Sequence, residues 1–148
     1  METFLSKIMR DKYKILTADV PPGIQTLRNI LDDSVGFREV VSMEEAKEFL
    51  GEKIDLIVCG IHFDESRMFD FLRTVKADAM SRDIPLLCFR DLDSELAPTL
   101  IQSLEIACRA LGAVGFVDLY DLKSKCGIER ADERFREVIF DILKSGKI

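Results

Sequence analysis

Short runs of consecutive apolar residues alternate along this chain with longer stretches whose apolar residues recur every three or four positions. The first pattern suits strands buried on both faces, and the second suits helices with one buried stripe. The clearest run, Ile54 to Phe63, stops at Gly60 and turns toward a helix beginning near Arg67; it predicts the central strand of a parallel sheet. Lys14 to Val20, Phe37 to Val41, Ile84 to Phe89 and Val114 to Leu119 read as four further strands. Pro85 sits at the start of its strand, where a missing N–H is tolerated. Pro21-Pro22-Gly23 predicts a loop, after which Ile24, Leu27, Ile30 and Leu31 mark a first helix that Gly36 closes. Ala46, Phe49 and Leu50 mark a second helix, capped by Ser42 with Glu44 and Glu45 in its first turn and ended by Gly51. Phe69, Leu72 and Val75 define a third helix, Leu100, Leu104, Ala107 and Leu111 a fourth, and Phe135, Val138, Ile139, Ile142 and Leu143 a fifth. Residues 121–130 read as a charged, solvated loop. Five β-α units with short connections imply a parallel sheet covered on both faces.

Length and charge narrow the function classes. A chain of 148 residues buries roughly 70 % of the surface its unfolded form exposes, enough for one independent domain. Residues 1–148 are read as that domain, with an extension over residues 1–12 in which Phe4, Leu5, Ile8 and Met9 form a short amphipathic turn. With 21 Lys+Arg against 27 Asp+Glu and no basic block, nucleic acid is not an expected partner. No apolar run reaches membrane-spanning length and the first ten residues lack a signal-peptide core, so a cytoplasmic location is expected and a membrane is not. Cys59, Cys88, Cys108 and Cys126 are too scattered for a metal motif, and His62 is the single histidine, so neither a metal nor another cofactor is expected.

Four marks, Ile15 to Pro22, Ile54 to Arg73, Arg82-Asp83-Ile84-Pro85 and Leu111-Gly112-Ala113, occur in the order and spacing of one family. Over residues 13–143 the chain resembles the receiver domain of two-component response regulators. The resemblance implies a flavodoxin-like (CheY-like) three-layer αβα sandwich, with a five-stranded parallel sheet of order 2-1-3-4-5 and a site beyond the carboxyl ends of its strands. It also implies a phosphorylation pocket, which is degenerate here. The acidic pair after the first strand is reduced to Asp19 by Val20. The phosphoryl-accepting aspartate is Gly60, the hydroxyl residue after the fourth strand is Arg90, and the lysine ending the fifth is Leu119, followed by Tyr120. His62 matches the position whose backbone carbonyl usually meets Mg²⁺. Asp55 and Asp64 become acceptors only if the alignment slips.

A glycine accepts no phosphoryl group and one carboxylate is a poor Mg²⁺ site. The expectation is a non-catalytic pseudo-receiver acting by phosphorylation-independent contacts with a signalling protein or histidine kinase pathway component, with a homodimer as a further candidate assembly. Asp19 and Arg90 are expected to pair across the emptied pocket, the guanidinium taking the place of the metal or phosphoryl group. Ile101, Ile106 and Cys108, with Tyr120, make a candidate interface, unless those apolar residues cover the sheet edge. The alternative is a small-molecule or anion sensor using the emptied pocket. Enzymatic activity is not expected, because no activated nucleophile accompanies Asp19, His62 and Arg90.

Overall fold

The computed structural model describes residue 4, residues 12–91 and residues 97–148. Most of the expected amphipathic extension and residues 92–96 therefore lie outside the described residues; Phe4 is exposed. The elements run β1 (Lys14–Ala18), α1 (Pro21–Leu31), β2 (Gly36–Val40), α2 (Met43–Phe49), β3 (Leu56–Gly60), α3 (Met68–Ala77), β4 (Leu86–Arg90), α4 (Pro98–Ala110), β5 (Gly115–Asp118), α5 (Leu119–Cys126) and α6 (Ile128–Ser145).

All strand pairs are parallel and the sheet order is β2-β1-β3-β4-β5. Strand alternation divides the core into two layers. Ile57 and Cys59 of β3 pack with Phe63, Phe71, Leu72 and Cys108 on one face. Leu56 and Val58 pack with Leu27, Phe89, Phe135 and Ile139 on the other. Every residue of β3 and β4 is buried, which is why those strands read as unbroken apolar runs. Ser42 caps α2 as expected, its hydroxyl accepting from the Glu45 N–H at 3.2 Å.

Three local expectations are corrected. Pro21 and Pro22 are not loop residues but the first turn of α1, where a fixed φ is preorganised and no N–H is needed. Gly36 begins β2; α1 has already given way to a 3-10 turn over Asp32–Ser34. The third correction changes the site. The segment expected to be a charged loop forms α5, begun by Asp118, whose carboxylate accepts from the Asp121 N–H at 3.0 Å. Leu119 therefore opens a helix rather than ending a strand, and it is fully buried against the α1–α6 layer.

The fourth helix also turns a different side inward. Cys108 is its one fully buried residue, joined by Ile101 and Leu111, whereas Leu100 is 47 % exposed. Cys108 therefore belongs to the core and not to an exposed interface. Between β3 and α3, Asp64, Glu65 and Ser66 all have positive φ, from 45 to 64°. The Asp64 carboxylate holds this left-handed turn by accepting from the Met43 N–H at 2.9 Å and from Arg67 at 2.6 Å.

Candidate functional site

The carboxyl ends of the strands bring together Asp19 after β1, Gly60 at the end of β3, Arg90 at the end of β4 and Asp118 at the end of β5. Val20 caps α1, with its carbonyl accepting from the Gly23 and Ile24 N–H groups. The direction of the Asp19 side chain decides the shape of the site. A Cβ placed on Gly60 or on Gly23 would run into the Asp19 carboxyl group. Two glycines thus make the cradle in which Asp19 lies, and its carboxylate fills the volume a side chain at position 60 would occupy.

That carboxylate is costly as an anion. Asp19 is 4 % exposed, and its Oδ1 is buried with no hydrogen-bond partner. Burial pushes its pKa up to about 6; the Val20 backbone opposes this and the charge of Asp91 adds to it. The Thr17 hydroxyl beneath it in β1 is likewise buried and unpartnered.

The other half of the site is compensated. Arg90, 5 % exposed, makes a two-pronged ion pair with Asp118: Nε to Oδ1 at 2.9 Å and Nη2 to Oδ2 at 3.0 Å. The guanidinium also stacks on Tyr120, 4.9 Å from the ring centroid. The expected Asp19–Arg90 pair is not formed. Register explains why: Arg90 lies directly opposite Asp118 on the neighbouring strand, while β3 stands between β4 and β1. Asp19 is two strand spacings away, roughly 10 Å.

A third charged group was not apparent from the pattern of the chain. Asp91, just past β4, accepts from Thr26 Oγ1 at 2.5 Å and from Lys123 Nζ at 2.7 Å, and so ties α1 to α5. Lys123 reaches it because α5 is a helix lying over the ends of β4 and β5. The signals were present in Asp118 and Asp121 at cap and first-turn positions, Leu119 and Leu122 one turn apart, and Gly127 as terminator.

The remaining expected residues scatter. His62 is half-buried and lines a groove of about 220 Å³ with Ser66, Phe69, Leu100 and Leu104. Asp55 lies at the opposite end of the sheet, accepting from the Lys14 N–H at 2.7 Å, and Asp64 is engaged in the left-handed turn. Neither faces the cradle. Ile106 is 63 % and Tyr120 36 % exposed, and Ile101 is half-buried against the core. Among the described residues no group of three or more His, Cys, Asp or Glu side chains is arranged to hold a metal ion, and no helix is long and apolar enough to cross a membrane.

This sheet order, with helices on both faces and the strand ends converging on one site, defines the receiver-type flavodoxin-like fold. Solved structures agree. A response regulator from Hahella chejuensis is similar with a TM-score of 0.66 and 21 % identity, over 90 % of this chain and 96 % of that one. The phosphorylated cyanobacterial phytochrome response regulator RcpA has a TM-score of 0.68 at 14 % identity, over 92 % and 96 % of the two chains. The signal receiver domain of a histidine kinase from Syntrophus aciditrophicus has a TM-score of 0.55 at 24 % identity, over 82 % and 91 %. At these identities the likeness is one of fold. No family model and no curated protein matches the chain.

Proposed function

We propose that this chain is a receiver-type signalling module that works through protein contacts and accepts no phosphoryl group. One observation carries the reading: the volume above Gly60, where receiver chemistry needs a nucleophilic side chain, is filled from the side by the Asp19 carboxylate. The charge of the neighbouring residues supports it. Phosphoryl transfer relies on cations placed around the transferring group. Here the Arg90 guanidinium is already neutralised by Asp118 and the Lys123 ammonium by Asp91. Both are engaged in holding the ends of β4 and β5 and the helix α5 in one arrangement.

The module is non-catalytic and its output is made by surface contacts with a signalling protein, the exposed Ile106 and Tyr120 offering the apolar contribution. An anion sensor at the same pocket is the weaker reading, because a buried carboxylate fills the cradle and repels negative charge. Incubation with acetyl phosphate and Mg²⁺ tests the proposal. The intact mass is expected to stay unchanged; a gain of one phosphoryl group, mapped to any residue at the strand ends, would overturn it.

A further inference from the structure

Helices α5 and α6 follow one another directly but are held by different means. α6 buries Ala131, Phe135, Val138, Ile139 and Ile142 in the core. α5 buries only Leu119, its first residue. Over residues 120–130 nothing is fully buried, so this stretch hangs between two apolar anchors, Leu119 and Ala131, with Leu122 resting partly buried on the second core layer. Gly127, at φ +84°, joins the two helices and gives the stretch a hinge.

Polar contacts take the place of the missing core. Lys123 Nζ donates to Asp91 Oδ1 at 2.7 Å and Tyr120 lies against the Arg90 guanidinium, so α5 is fastened to two consecutive residues at the end of β4. Asp91 is itself fixed from the other side by the Thr26 hydroxyl of α1. The Lys123 side chain is 27 % exposed and that of Asp91 8 %, so solvent and ions reach the cation while the carboxylate stays covered. Salt screens such an ion pair, whereas it does not weaken an apolar contact. The fastening of α5 is therefore sensitive to charge in a way that the fastening of α6 is not.

We propose that α5 is a charge-latched strap over the end of β4. With Lys123 on Asp91 the strap is closed; when the ammonium changes partner, residues 120–126 come away while Leu119 and α6 from Ala131 onward stay in place. Release changes the surface on both sides of the strap. Tyr120 leaves Arg90, Asp91 is uncovered, and Leu122 is withdrawn from a groove of about 330 Å³ that it lines with Ile101, Phe116 and Val138. An anionic side chain of a binding partner is the class of group that opens the strap, because it competes with Asp91 for the ammonium. This last consequence rests on the reading of the chain as a contact module, whereas the latch is a property of the chain alone.

Hydrogen–deuterium exchange of the full chain tests the latch, with peptides spanning residues 119–127 read against those of β3 and α6. Lys123→Met keeps the aliphatic stem and removes the charge. It is expected to speed exchange over residues 120–126 about tenfold or more and to leave β3 and α6 beyond Ala131 unchanged. Asp91→Asn is expected to act in the same direction. Raising sodium chloride from about 0.05 M to about 1 M is expected to speed the same residues in the parent chain and to have little effect in Lys123→Met. Equal exchange in the parent and Lys123→Met overturns the proposal, as does exchange that rises evenly along the whole chain, or a strap in the parent chain that is indifferent to salt. The salt measurement on the parent chain decides the matter even if a variant fails to fold. Phosphoryl acceptance is read separately, by mass after acetyl phosphate, so the latch and the contact-module reading can each fail without the other.

Discussion

The two halves of the site solve the same problem in opposite ways. At the end of β4 and β5 a buried cation meets a carboxylate in two hydrogen bonds and stacks on an aromatic ring. At the end of β1 and β3 a buried carboxylate meets two glycines and no partner for Oδ1. The first half sets charge against charge, whereas the second is relieved only when a proton arrives. Strand spacing separates them, since Arg90 is one strand from Asp118 but two from Asp19.

The comparison can be broken most forcefully at its paired half. Asp118→Ala takes the two-pronged carboxylate from a buried guanidinium and removes the α5 cap; a loss of about 3–5 kcal/mol is expected in urea unfolding. An Arg90→Met/Asp118→Leu double variant is expected to recover most of it. If the single variant costs less than about 1 kcal/mol, the pair is not a buried fastening.

The unpaired half predicts the opposite sign. For Asp19 the native pKa, about 6, lies above the ordinary value of 3.8. Its contribution to stability is then fully present below about pH 4 and lost as pH rises through about 6, a change of about 3 kcal/mol. Asp19→Asn is expected to flatten that part of the pH–stability curve and to be more stable than the parent at pH 7. An unchanged slope between pH 4 and 7 removes the claim that the carboxylate is buried unpaired.

A smaller effect tests the cradle itself. Gly60→Ala forces Asp19 aside and is expected to cost about 1–3 kcal/mol. Made in an Asp19→Ala background it is expected to cost much less, so a double-mutant cycle measures the contact directly. The smallest effect comes from the turn beside it. Glu65 has φ +58°, and Glu65→Gly is expected to raise stability by about 1 kcal/mol, read as a shift in thermal midpoint.

The sheet was legible because β3 and β4 are buried on both faces and carry unbroken apolar runs, so each announces itself without help from tertiary context. Ser42 was legible for a similar reason, as capping is a local contact between near neighbours. The fate of α5 was not, since its inward side rests on Leu119 and Leu122 alone and is too short for periodicity to outweigh a charged composition. The partner of Arg90 was less accessible still. Pairing with Asp118 follows from strand register, and register is set by packing across the whole sheet. The position of Asp19 depends on side chains that are absent at 23 and 60, and an absence has no pattern to read.

The glycine cradle also constrains how this protein can change. Glycine and aspartate codons can differ by one base, so an aspartate at position 60 is a single mutation away on paper. Within this fold that mutation would set a second carboxylate into space Asp19 already fills. The route is passable only if position 19 changes first, so the order of substitutions, rather than their number, decides whether a carboxylate can stand at position 60.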